Sequence, residues 1–492
     1  MVPQKRRSSF TANAQLEKLE KKIICRCEEI FDNCVAVLSR HKTATTMITF
    51  LRAHKRTITI LLVVLCAFWL SPRFDIEFLL FVLLIVSQLF WIRRALDLGE
   101  RFIPGKPRRI WLAVLATVVY AFFCVYSFTH FGILHQWHLL TTGHLPVHAD
   151  PRLRSVLIDG ALSVWLLGSW LGFGLVMVFW TVDRGARGAI WLYHYMHDAA
   201  VIHATAPESD AIDLPSPVRR HLLRQMAIAV SATPFVAAAY GLLYSRLDVE
   251  VTHPRIRLAR LPKAFEGFRI AQLSDIHISP FMTTAEIRRC VTMTNEQKPD
   301  LIVMTGDYLS WDTAWQSEVV QALAGLRAPY GVFGSLGNHE SITQTEESIT
   351  RLFAAQGIHI LRQERAPIQL NGETINLIGV DDSQSDDSWI DHLVMPDTVN
   401  ILLTHVPVPA GFDWAVEHGF DLVLAGDSHG GQVSLNFLKR RISFYGLYTP
   451  YVSGLYEKSG GQLYVNRGIG TTILPIRLGA RPEITVLELS QT

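Results

Sequence analysis

Charge is scarce in this 492-residue chain: only 18% of residues are Asp, Glu, Lys or Arg, against 49% hydrophobic. With a mean hydropathy of +0.22, that excludes an ordinary soluble protein and predicts a membrane portion beside at least one folded domain. An excess of either sign is lacking too. The net charge of +2 gives no global basic field, so nothing signals nucleic-acid binding, and basic residues carry meaning only by position. Cysteine is sparse. Of Cys25, Cys27, Cys34, Cys66, Cys124 and Cys290, only the last lies in the C-terminal half, which excludes a disulfide within that half and leaves the redox compartment open. Cys25-x-Cys27 with Cys34 lacks the paired ligand spacing of a zinc site and reads as ordinary helix cysteines. No apolar core follows the basic N-terminus within a signal peptide's length, so no cleaved leader is expected.

What the chain has instead is a series of apolar runs. Residues 1–56 read as a basic cytoplasmic segment with an amphipathic helix over 14–38. Runs follow at 57–70, 78–92, 110–134, 160–182 and 225–245, within a membrane region of 57–247. The last three are free of charge for 21 or more residues, enough to cross a hydrocarbon core of about 30 Å. The first two, at 14 and 15 residues, are short for spans and are separated by Ser71-Pro72-Arg73, so the count is five, or three if they form a hairpin. Either count returns the chain to the same side. Arg93, Arg94, Arg101, Lys106, Arg108 and Arg109 load one connecting segment, and Arg184, Arg187, Arg219, Arg220 and Arg224 another, whereas 135–154 carries only Arg152 and Arg154. By the positive-inside tendency the two basic segments face the cytoplasm, which predicts a multi-pass protein of the cytoplasmic (inner) membrane with its C-terminal domain on the extracytoplasmic side. Arg219-Arg220 before an apolar run, like a twin-arginine export signal, points the same way.

Two histidine groups, His135, His138, His144 and His148, and His194, His197 and His203, read as interfacial packing and not as a metal site. After a linker at 248–267 the composition becomes that of an α/β domain, 268–492. Short β-branched runs at 270–273, 301–304, 332–336, 400–403 and 422–425 read as buried strands, with helices expected over 284–297, 315–326, 346–356 and 409–418. Polar residues fall just past the strands. Asp275 and His277 follow the first, Asp307 the second, Asn338 and His339 the third, His405 the fourth, and Asp427 and His429 the fifth. Ligands collect at the carboxyl ends of strands in α/β sheets, so five loops are predicted to converge on one crevice. Imidazole with carboxylate or amide oxygen suits divalent Zn, Fe, Mn or Co, and there are ligands enough for two ions.

Ser274-Asp275-Ile276-His277, Thr305-Gly306-Asp307, Leu336-Gly337-Asn338-His339-Glu340, Leu403-Thr404-His405 and Gly426-Asp427-Ser428-His429-Gly430-Gly431-Gln432 resemble the five signatures of the calcineurin-like metallophosphoesterases in order, spacing and strand context. The tail from Leu463 through Arg477 and Glu483 is similar to the membrane-associated YkuE/YaeI-like branch of bacterial phosphodiesterases. The resemblance implies a C-terminal four-layer α/β/β/α sandwich, here behind an N-terminal transmembrane α-helical bundle. It also implies a first metal on Asp275, His277, Asp307 and His429, with Asp307 bridging to a second on Asn338, His405 and position 427. His339 matches the histidine that assists the leaving group, and a hydroxide between the ions would attack phosphorus in line.

One position departs. The family usually has Gly-His-x-His where this chain has Gly426-Asp427-Ser428-His429. A carboxylate there adds hard oxygen and negative charge, which favours Mn²⁺ or Mg²⁺ over Zn²⁺; Mn²⁺ is the ion expected first, with Fe, Zn, Co or Mg as the others. The expectation is a membrane-anchored hydrolase of a phosphomonoester, phosphodiester or pyrophosphate, from a lipid or envelope component, with the lipid bilayer and a phosphorylated, lipid-linked substrate as partners. A catalytically weakened membrane sensor or scaffold and a nucleotide phosphodiesterase are the alternatives. Oligomeric state has no signature in the sequence.

Overall fold

The computed structural model describes residues 83, 86–91, 94, 159–201, 217–381, 392–437 and 440–491. The chain divides after Val86 into two compact units, and the described residues belong almost wholly to the larger. Of the runs expected to cross the membrane, 57–70 and 110–134 lie outside the described residues and 78–92 largely so, as do residues 135–148 and the side chains of His194, His197 and His203.

Two long helices precede the catalytic domain. Helix α1, Gly160–Val201, and helix α2, Pro217–Leu243, pack against each other, with Gly168 seated on Phe235. Among the described residues, one helical stretch, Gly160–Val182, has the length and composition to cross a membrane. The run 225–245 is helical up to Leu243 and continues through Pro234, which removes one helical hydrogen bond.

The segment expected to be a linker is not one. It contributes strands β1, Glu250–Thr252, and β2, Arg255–Leu258, both parallel to the last strand, β15, Glu483–Gln491. These short strands were illegible because they alternate charged and apolar residues over only a few positions. Beyond them come β3, Arg269–Leu273; α3, Thr284–Glu296; β4, Leu301–Thr305; α4, Gln316–Leu323; β5, Val332–Ser335; α5, Asn338–Ile342; and α6, Glu346–Ala354. After β6, His359–Ile360, follow β7, Glu364–Leu370; β8, Glu373–Gly379; β9, Val399–Leu403; α7, Pro409–Glu417; and β10, Leu422–Ala425. A hairpin of β11, Ser434–Phe437, and β12, Arg440–Ser443, precedes β13, Gly454–Lys458, and β14, Gly461–Val465.

One sheet runs β1-β15-β3-β4-β5-β6 and the other β13-β14-β10-β9-β8-β7. They face each other across a shared core that includes Ile270, Leu301, Val303, Ile401, Leu403, Leu422 and Leu424. The alternate residues Ala271, Ile302 and Met304 pack outward under α3, α4 and α6, and Leu402 and Val423 pack outward with Phe412 of α7. Helices, sheet, sheet and helix make four layers. Both faces of the central strands are therefore covered, which is why they read as unbroken apolar runs rather than alternating ones. The five strands seen in sequence divide three and two between the sheets, so their loops meet at the rim of a sandwich. Gln272 ties that rim together, donating to Thr305 Oγ1 at 3.1 Å and across to Ala425 O at 3.0 Å.

The helix pair rests on this domain. Ile476 lies buried with Leu167, Ala238 and Leu242, and Phe281, Val433, Leu474 and Leu478 pack around them.

Candidate metal centre

Strand ends alone do not aim side chains inward; the backbone does. Asp275, His277, Asp307, Asp427 and His429 all have φ between +47° and +62°. That left-handed conformation costs an ordinary residue about 1–2 kcal/mol, so five in one crevice indicate a site whose surroundings over-determine it. The glycines beside them allow close approach. A Cβ at Gly426 would overlap Ser274 Oγ and Asp275 Oδ2, and one at Gly337 would overlap Asp307 Oδ1.

The side chains meet in one buried cluster. Asp307 Oδ2 lies 3.3 Å from His277 Nε2 and 3.1 Å from His405 Nε2. His429 Nε2 sits 3.1 Å from His277 Nε2 and 3.3 Å from Asp275 Oδ1. The groups Asp275–His277–His429 and Asp275–Asp307–His405 each bring ligand atoms within 4.8 Å of one another, as does His277–Asp307–His339. Asp427 joins from the open side, with Oδ1 3.6 Å from His405 Nε2 and Oδ2 accepting a short hydrogen bond from Tyr445 Oη.

Imidazole orientation follows from the far nitrogen of each ring. His277 Nδ1 faces Leu309 O at 3.1 Å and His405 Nδ1 faces Thr305 O at 2.6 Å, so in both the proton sits on Nδ1 and the Nε2 lone pair points into the cluster. His339 is held the same way by Ser310 O, with Nε2 3.9 Å from Asp307 Oδ2. At His429 the partner is Arg477, whose Nη2 lies 3.2 Å from Nδ1.

Electrostatics fit a cation site. Burial pushes Asp275 up to about 6. Burial also raises Asp307, but His405 and His339 outweigh it and hold that carboxyl well below its ordinary range. Burial, then His277 and Arg477, hold His429 well below the usual imidazole value. Asp275 Oδ1, Asn338 Oδ1 and His405 Nε2 are buried without a hydrogen-bond partner. Orphaned ligand atoms of three residue types, converging beside buried carboxylates, are what divalent ions would satisfy. The set therefore fits metal binding; seven of the eight residues singled out from sequence are joined by these short distances, and Asn338 stands directly before His339 at the start of α5.

Three contributors had no signature of spacing. Glu340 is fully buried and accepts backbone N–H groups from Gly337, Asp307, Tyr308 and Leu309 at 2.8–3.1 Å, locking the β4 loop to α5. Burial, with Asp307 adding to it, pushes its carboxyl up to about 7. Arg477, buried and pushed down to about 9 by that burial, also donates to the carbonyls of Arg467, Gly468, Gly470, Ala480 and His429. Tyr445 is the third. Glu340 stands in the third signature directly after His339, and Arg477 in the similar tail, yet neither had a role assigned from sequence.

Comparison with known proteins agrees with this geometry. The calcineurin-like phosphoesterase family matches residues 268–431, from the start of β3 to the turn after His429. The uncharacterized metallophosphoesterase YkuE of Bacillus subtilis is 33% identical over 291 residues, 56% of this chain and 98% of its own. The transmembrane protein with metallophosphoesterase domain of Danio rerio is 26% identical over 436 residues, 85% of this chain and 90% of its own. Phosphodiesterase YaeI of Escherichia coli is 28% identical over 280 residues, 54% of this chain and 98% of its own. With a bacterial relative matched over nearly its whole length and the family match spanning every loop of the crevice, the chain belongs to the calcineurin-like metallophosphoesterases, hydrolases of phosphoester bonds.

Proposed function

We propose that this chain is a membrane-anchored, two-metal phosphoesterase acting on a phosphoester of a lipid or envelope component. The observation that carries it is Asp307: one oxygen, Oδ2, faces His277 on one side and His405 on the other at nearly equal distance. In this reading Asp275, His277, Asp307 and His429 hold one ion, and Asp307, Asn338, His405 and Asp427 the other. When bound, such ions neutralise the phosphoryl oxygens and lower the pKa of the attacking water. Mn²⁺ suits the oxygen-rich second set best. The remaining chemistry belongs to the chain. Ser310 O keeps a proton on His339 Nδ1, so Nε2 is the atom that can take up a second proton, beside Asp307, and deliver it to the departing oxygen. His339 packs against Trp311 at a tilt of 55°, with centroids 4.6 Å apart, which restrains its ring.

Support for the anchor comes from the apolar stretch Gly160–Val182 and from the Danio rerio transmembrane protein with metallophosphoesterase domain, which matches 85% of this chain. The test is the full-length chain in detergent, assayed on p-nitrophenyl phosphomonoester and phosphodiester with and without added divalent ion. Hydrolysis is expected to require the ion and to fall at least a hundredfold in Asp307→Asn. Undiminished turnover in a folded Asp307→Asn variant would sink the two-metal reading.

A further inference from the structure

The hairpin β11–β12 and the 3-10 turn after it, Tyr445–Leu447, carry an apolar surface that faces outward. Leu435 is 64% exposed and Leu447 58%, and Ile442, Phe444 and Tyr448 are exposed with them; Ile473, on the neighbouring loop, is 66% exposed. So much contiguous apolar surface is uncommon on a face that meets water. Its place along α1 identifies what covers it. The Phe444 ring packs on Trp170 with centroids 4.6 Å apart. Trp170 lies inside the candidate span Gly160–Val182, roughly 15 Å along the helix from Gly160 and roughly 18 Å from Val182 at a helical rise of about 1.5 Å per residue. Both distances fall within a hydrocarbon core of about 30 Å. Asp183 and Arg184 end the apolar stretch and fix its far boundary.

We infer that Leu435, Ile442, Phe444, Leu447 and Tyr448, with Ile473, are immersed in the membrane leaflet on the side of the catalytic domain, and that the site draws a phosphoester with an acyl or alkyl tail directly from that leaflet. The inference rests on the membrane-anchored phosphoesterase reading and extends it. Tyr445 makes the link to chemistry, because the same turn that carries Leu447 donates its phenol to Asp427 at the mouth of the crevice. Lipid contact and the metal site thus share one short segment.

The full-length chain is placed in phosphatidylcholine–phosphatidylglycerol vesicles containing a diazirine-bearing phosphatidylcholine, irradiated, digested and mapped by mass spectrometry. Lipid adducts are expected both at 173–182 and within 434–448. Adducts at 173–182 with none in 434–448 overturn the inference, since protein would then cover the hairpin; adducts at neither overturn the anchor itself. A second arm compares two esters with one leaving group, hexadecyl p-nitrophenyl phosphate in vesicles and methyl p-nitrophenyl phosphate in solution. Leu435→Glu combined with Ile442→Glu is expected to slow the first at least tenfold and the second less than twofold. Equal loss of both makes the hairpin a structural support and overturns lipid access. Failure of the wild-type chain on both esters would count against the phosphoesterase reading instead.

Discussion

The carboxylate at position 427 stands beside two others, Asp275 and Asp307, in a crevice that the family usually closes with imidazole. Its backbone N–H donates to Asp275 Oδ2 at 3.1 Å, and its own Oδ2 is occupied by Tyr445, which leaves Oδ1 for an ion near His405. Three carboxylates around one position favour a hard cation. Asp427→His is therefore expected to raise affinity for Zn²⁺ relative to Mn²⁺ by on the order of tenfold, read as turnover against buffered free metal; identical profiles for the two proteins would remove Asp427 from the ligand set. His339 tests the opposite role. Its ring lies close enough to His277 and Asp307 to be a ligand, yet its assignment is to the leaving group. His339→Ala is expected to lower kcat by about 10²–10⁴ with metal content unchanged, and parallel loss of metal would reassign it. The candidate ligands stood out in the sequence because each follows an apolar strand and most have glycine beside them. Glu340 and Arg477 stand in the quoted segments but carried no assigned role, because they act on backbone amides and carbonyls and not on an ion.

At the scale of elements, the helices and central strands match the apolar periodicity to within a few residues: 284–297 was expected where Thr284–Glu296 is observed, and 409–418 where Pro409–Glu417 is. The division of the strands between two sheets was not readable from periodicity, since a strand covered on both faces looks alike in either architecture. Nor was the contact between helix α2 and the loop after Gly470. At Gly241 a Cβ would come 2.6 Å from Ile476 Cγ2 and 2.8 Å from Arg477 O, so only glycine lets the helix and this loop meet. Gly241→Val is expected to destabilise the protein by about 1–3 kcal/mol and, by displacing the Arg477 backbone, to weaken the hold on His429 and lower turnover. Thermal unfolding and hydrolysis in detergent are the measurements. Gly174→Val, on a face of α1 with nothing within 4 Å, is the control expected to change neither; equal effects from both substitutions would show a general cost of valine in the helices.

For the whole molecule the charge pattern makes a directional statement. If the segments rich in arginine face the cytoplasm, the sandwich lies on the far side. A cysteine replacing Lys458 is expected to react with a membrane-impermeant maleimide in intact spheroplasts, and one placed within 208–216 is not; the reverse pattern would put the catalytic domain in the cytoplasm. The domain's own thiol adds little background, because Cys290 is buried and burial pushes its thiol up to about 12. Ile476 is covered by Leu167, Ala238 and Leu242 of the helix pair, and the residue after it holds His429. The border between anchor and enzyme therefore does not fall at residue 248. Severed there, the domain would turn Phe281, Val433, Leu474, Ile476 and Leu478 toward water, and a freely soluble catalyst would first need polar side chains at those places.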